Sequence, residues 1–254
     1  MAGVLVYNRW QEARTRREAQ RAFGSSHADV LVAEPRRAPP LGQGASADER
    51  IDYVIGFALA PGADAELREG WRPIEQRFAG RALLGDGQAA LQLVSRAGVV
   101  SDAELLEFRS AVETLAAAVA SSVSAPEMRA ALEAARALDR LCAEVDIEVA
   151  LHVVGIGTRE VALEGPFKAS PRDDGVTLTL DVARTRQPAR AYEAMARAGR
   201  HLAAEQGGRV VDDTGRELDE RALAAIGAQL EAVSQRLLAS GIEPGSPLAL
   251  RLFS

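Results

Sequence analysis

The stretch Gly207–Leu230, GGRVVDDTGRELDERALAAIGAQL, decides how the chain is read. Gly207-Gly208 is a favourable stop for the helical pattern before it. Val210-Val211 reads as a short strand, and Thr214-Gly215 as a turn. Asp212 and Asp213 lie between strand and turn, where paired acids can be a metal or phosphoryl-transfer site or the turn itself. A metal site needs further ligands converging from elsewhere, and neither a histidine nor a second acid cluster is placed in sequence to assist. Carboxylates at such a junction accept backbone N–H bonds, and Asp219 or Thr214 can cap the oncoming helix. The sequence therefore predicts a strand, a turn and a helix, with an acid-dependent hydrolase kept as the contrasting reading.

Working outward, Leu223, Ile226, Leu230, Val233 and Leu237 give that helix one apolar face. Upstream, GVTLTLDV (Gly175–Val182) alternates, with Val176, Leu178, Leu180 and Val182 inward. DIEVALHVVG (Asp146–Gly155) does the same with Ile147, Val149, Leu151 and Val153. Only IGTREVALEGPFKASPRDD separates these two strands. VVGIGTRE (Val153–Glu160) places Gly155 and Gly157 after a strand, but Glu160 stands at the next expected glycine and no helix opens, so it is not a dinucleotide fingerprint.

The N-terminal half shows the same order. Ile51, Tyr53, Ile55, Phe57 and Leu59 alternate with Asp52, Val54, Gly56 and Ala58. Leu67, Trp71, Ile74 and Phe78 follow at helical spacing, and Gly70 and Pro73 predict a kink or a late start. GRALLGDG and QAALQLVSR read as two strands about a Gly-Asp-Gly turn. Ser101 with Glu104, and Ser124 with Glu127, form capping boxes for two helices, the second with Pro126 in its first turn. The corresponding place to the acid pair, SSVSAPEM (Ser121–Met128), has none. Strand, strand, helix, short strand, helix thus occurs twice, and predicts an α+β fold duplicated in tandem, with units at 50–144 and 145–254. The tail SPLALRLFS alternates and predicts an edge strand.

Ahead of the units, the Pro- and Gly-rich stretch AEPRRAPPLGQGASADER (Ala33–Arg50) reads as a linker over residues 33–49. Residues 1–32 begin MAGVLVYNRW and continue with five arginines against two glutamates in Arg9–Arg21. A span needs about 20 apolar residues, so the apolar run cannot cross a bilayer by itself. It has the pattern of a truncated membrane-anchor end followed by a basic juxtamembrane helix, with Tyr7 and Trp10 at the interface. Further apolar residues upstream of Met1 are the expectation of that reading. A frayed basic amphipathic helix is the alternative.

The net charge of −6 over 254 residues argues against a general nucleic-acid binder. One cysteine, Cys142, rules out an intrachain disulfide and fits a cytoplasmic setting. His27, His152 and His201 show no zinc spacing, and the sole lysine, Lys168, is not in a phosphate-binding loop. Neither a cofactor, a metal nor a catalytic residue is expected.

Gly175–Val182, ARAYEAMARAGRHLAAEQGG (Ala189–Gly208), Arg209–Leu237 and the N-terminal VLVYNRW with RTRR together resemble ZipA-type cell-division proteins, most closely over Asp146–Leu237. The resemblance implies a split β-α-β domain with an antiparallel sheet and helices on one face. It implies a scaffold without catalysis, held at the cytoplasmic side of the inner membrane by an N-terminal anchor. Its partner would be the C-terminal tail of FtsZ, laid as a helix across the exposed sheet face during septum formation. Matching strand to strand puts the partner-binding positions at Glu148, Ala150, His152 and Thr179. The family pattern there is mainly apolar, with an aromatic where Thr179 stands, so weak binding is expected. In the first unit the outward residues are Val54, Gly56, Ala58 and Val94, a small apolar face that can bind a peptide or pack against the second unit.

Overall fold

The alternation at Ile51–Leu59 is realised as a strand in which Tyr53, Ile55 and Phe57 are buried and Leu59, at its end, is half-buried. The structure, a computed structural model, describes residues 46–85, 87–157 and 163–254. The expected anchor end, basic helix and most of the linker lie outside the described residues. Among the described residues no helix is long and apolar enough to cross a membrane. The described chain divides into two compact units, with the break between Cys142 and Ala143.

The N-terminal unit contains β1 (Asp52–Leu59), α1 (Asp64–Arg77), β2 (Ala82–Gly85), β3 (Gln88–Gln92), β4 (Val94–Ser95), β5 (Gly98–Val99), α2 (Asp102–Val119) and β6 (Ala120–Ser124), then most of α3 (Met128–Val145). Its main sheet runs β2-β3-β1-β6, every pair antiparallel. Tyr53, Ile55, Phe57 and Leu91 are buried, and α2 packs on β1 with Leu105, Phe108 and Val112 buried. Phe108 receives Phe78 edge-on at 5.4 Å and Trp71 at 6.5 Å, so α1 is locked to α2 through aromatic contact.

Three expectations change here. α1 starts at Asp64 and runs through Gly70 and Pro73. A Cβ at Gly70 would lie 2.4 Å from a Leu115 methyl, so the glycine is there to let α1 approach α2. Ser101 caps α2 by accepting the Glu104 N–H, but the Glu104 carboxylate pairs with Arg81 and closes no box. Ahead of α3, the cap is the Glu127 carboxylate, which accepts the N–H groups of Arg129 and Ala130, while Ser124 ends β6 and Pro126 precedes the helix. Those two bonds hold the Glu127 carboxyl below its ordinary pKa.

The C-terminal unit contains β7 (Glu148–Val154), β8 (Lys168–Arg172), β9 (Gly175–Asp181), α4 (Pro188–Gln206), β10 (Arg209–Val211), α5 (Glu220–Ala239) and α6 (Pro247–Leu252). Its sheet runs β8-β9-β7-β10, again wholly antiparallel. Matched first strand to first strand, the two sheets have one strand order. That is an identity of topology, not of sequence. Val149, Leu151, Val153, Val176, Leu178 and Leu180 share one core with Tyr192 and Met195 of α4 and with Leu223, Ile226 and Leu230 of α5. Both long helices therefore cover the same face.

α4 ends as expected, with Gly207 in the left-handed region at φ 71° and the Gly208 N–H returning to Ala203 O at 2.8 Å. Asp219 caps α5 by accepting the Ala222 N–H at 2.7 Å. β8 is a strand the alternation pattern did not announce, because KASPR is polar and contains Pro171. An edge strand tolerates both. The tail is not an edge strand but α6. Ser246 accepts the Ala249 N–H and Pro247 takes the first helical position, a start signal that overrides the alternation of Leu248, Leu250 and Leu252.

Candidate functional site

Period-two geometry sends the side chains opposite the core to the other face of each sheet. In the C-terminal unit the register brings Ala150 directly opposite Thr179, His152 opposite Thr177, and Glu148 opposite Asp181. β8 extends two of these rows, with Lys168 opposite Thr179 and Ser170 opposite Thr177. β10 adds Val211 beside His152. The four positions predicted on this sheet thus share one face, and Thr177, Lys168 and Ser170 join them. Thr177 was legible as the residue two before Thr179. The β8 residues carried no signal, since the strand itself was not recognised.

The acid pair separates into two roles. Asp212 Oδ1 accepts the Thr214 N–H at 2.8 Å, the Thr214 hydroxyl at 2.6 Å and the Arg216 N–H at 3.0 Å, which builds the turn. Burial pushes the Asp212 carboxyl up, but those hydrogen bonds outweigh it and hold the group below its ordinary range. Asp213 corrects the expectation that no histidine stands near the pair. His152 Nε2 lies 2.9 Å from Asp213 Oδ1, and Nδ1 lies 2.9 Å from Thr177 Oγ1. The His152 side chain is 11% exposed, and both ring nitrogens are engaged. Threonine, imidazole and carboxylate in one chain of hydrogen bonds fix this part of the face rigidly. Among the described residues no group of three or more His, Cys, Asp or Glu is arranged to hold a metal ion.

In the N-terminal unit, Val54 stands opposite Ala90 and Gly56 opposite Gln88 on the outward face. Val54 and Gly56 line a cavity of about 620 Å³ with Gln88, Ser124 and the α3 residues Ala131 and Ala135. Ala58 is exposed at the end of β1, where the pairing with β6 becomes irregular. Val94 does not join them. The Gln92 side-chain amide donates to Val94 O at 2.7 Å, and Val94 pairs with Val99 in a separate two-stranded ribbon, 1% exposed. QAALQLVSR is therefore two strands and not one.

These elements define a class, an α+β domain whose antiparallel sheet has helices on one face and cross-strand side-chain rows on the other. Residues 164–229 match the family described as ZipA, C-terminal FtsZ-binding domain. Over that segment, which runs from the approach to β8 to the middle of α5, the resemblance to ZipA-type proteins is shown. No curated relative and no solved structure matches the chain.

Proposed function

We propose that this chain binds the C-terminal tail of FtsZ through a sheet face and tethers the division ring to the inner membrane through its N-terminal segment. The observation that carries the first half is the family match over residues 164–229, because that segment supplies β8, β9 and β10, three of the four strands bearing the outward rows. The docking positions proposed are Glu148, Ala150, His152 and Thr179 in the C-terminal unit and Val54, Gly56 and Ala58 in the N-terminal unit. Peptide grooves draw their energy from apolar contact, at about 25 cal/mol per Å² removed from water, against the entropy of ordering the peptide. The C-terminal face offers hydroxyls, an imidazole and charges, so binding there is micromolar or weaker.

That polar face supports a second reading, a non-catalytic interaction module of the same fold with a different partner. Titration of labelled FtsZ tail peptide into the full chain separates the two. A saturable anisotropy change supports the first reading, and a flat trace at millimolar peptide removes it. Tethering is supported by the apolar Ala2–Tyr7 followed by arginines. Flotation with anionic phospholipid vesicles should carry the full chain upward and leave a chain beginning at residue 46 behind. Equal flotation of both would defeat the tether.

A further inference from the structure

The shared topology disposes of the helix after the fourth strand in two ways. In the C-terminal unit α5 follows β10 and packs on α4, inside the layer that buries the inward face. In the N-terminal unit α1 already holds the place beside α2. α3, which follows β6, instead forms a wall of the cavity over the outward face, with Ala130, Ala131, Ala134 and Ala135 lining it together with Val54 and Gly56. Ala90, on that same face opposite Val54, is 1% exposed.

The face that α3 turns to the cavity carries only alanines, while its last turn is held to α5 by Glu144 and Arg236 at 2.6 Å. Its buried stripe is Leu132, Ala135, Asp139, Cys142 and Val145. Its flank is tied to α2 by Arg136 and Asp102 at 2.7 Å, a pair 49% and 72% exposed, and exposed pairs contribute little. Residues 125–127, between β6 and α3, have no regular structure. Alanine is too short to fill the space beside the helix, and a cavity of about 620 Å³ that opens to solvent past the exposed Ala130 and Ala134 lies there.

We propose that α3 is a displaceable cover, a helix of the chain's own that occupies the N-terminal sheet face and is exchanged for a partner helix. α3 walls the cavity beside Val54 and Gly56, so a helix can lie along this face. Beside Val54, Gly56 and the alanines the cavity is lined by Arg50, Asp52, Gln88 and Glu127, so a better occupant carries apolar side chains larger than alanine together with polar ones. The partner is thus an amphipathic helical peptide with bulky apolar residues on one face. The inference rests on the reading that the chain binds the FtsZ tail as a helix on a sheet face.

Cys142 is the only cysteine, lies on the buried stripe of α3 and is 7% exposed, so its rate of modification by a thiol reagent reports lifting of the cover. The experiment follows this rate and peptide anisotropy together, on the full chain with labelled FtsZ tail peptide. Saturating peptide should accelerate Cys142 modification. Arg136→Glu, which sets two carboxylates against each other, should raise the basal rate and tighten peptide binding by up to about fivefold, the most that an exposed pair shifts a population. Adding Val54→Asp to that variant should remove the gain. Should Val54→Asp fail to fold, Gly56→Leu serves, because a Cβ at Gly56 comes no nearer than 4.0 Å to Ser124 O and leaves room for a larger side chain to fill the cavity. Peptide that binds while the Cys142 rate stays unchanged overturns the cover and leaves the FtsZ reading standing. Absence of binding to both wild type and Arg136→Glu overturns both.

Discussion

The two units share a strand order and differ in what lies on the sheet face away from the core. In the C-terminal unit that face is tied down in the plane of the sheet, through Thr177, His152 and Asp213, and it offers little apolar area. In the N-terminal unit it is made of Val54, Gly56 and Ala90, and a helix lined with alanines stands over it. One topology therefore solves the same problem twice. A sheet with one buried face must make the other tolerable, either with hydrogen-bonded polar rows or with a cover.

The largest expected effects are those that treat the units alike. Leu91→Ala and Leu178→Ala each remove a side chain that is 0% exposed, one on the inward face of each sheet. Each should cost about 2–5 kcal/mol of unfolding free energy in denaturant titrations. A small loss in only one unit would break the comparison at its base. Gly208→Ala comes next and touches the C-terminal unit alone. A Cβ there would lie 2.6 Å from Val154 O, so β10 must shift from β7, and a loss of about 1–3 kcal/mol is expected by the same measurement.

Thr179→Phe sharpens the contrast between the outward faces. It adds apolar area to the rows of the C-terminal face and should tighten FtsZ-peptide binding by about tenfold, near 1.4 kcal/mol. If binding is unmoved by Thr179→Phe yet abolished by Val54→Asp in a folded protein, the N-terminal face carries the site. A subtler difference is acid sensitivity. The folded state lowers the Asp212 carboxyl, so its contribution to stability is present above the ordinary carboxylate range and is lost as pH falls through the lowered value. Asp212→Asn should flatten that part of the stability profile on acid titration, whereas a profile unchanged by the substitution would remove Asp212 from the turn's energetics. The smallest effect is expected from Arg129→Ala, whose side chain is 84% exposed, within about 0.5 kcal/mol of wild type in thermal melts.

The sequence made the elements legible where a local signal and a global role coincide. The alternation at Ile51–Leu59 and Gly175–Val182, the glycine pair after α4 and the Asp219 cap all survive in place, because each is enforced both by burial and by backbone chemistry. β8 was hidden because an edge strand needs no alternation and accepts Pro171. The tail misled because its leucines alternate while Ser246-Pro247 specifies a helix, which buries Ala249, Leu252 and Phe253 on one side. The site was legible only as far as register carries it. Glu148, Ala150, His152 and Thr179 follow from period two, but the contact of His152 with Asp213 spans 61 residues and has no trace in local pattern. Likewise the spacing of Met128, Ala131, Ala135, Leu138 and Cys142 announces an inner face for α3, but the buried stripe is Leu132, Ala135, Asp139, Cys142 and Val145, rotated so that only Ala135 and Cys142 are shared.

Lys168 is exposed on β8, opposite Thr179, and it is the only lysine in the chain. Apart from the amino terminus, an amine-selective dye or photo-crosslinker has a single place to attach, at the rim of the C-terminal face. Ordinary wild-type protein can therefore be tagged beside that face without any engineered handle, and whatever ligand lies there can be captured from a position fixed by the sheet itself.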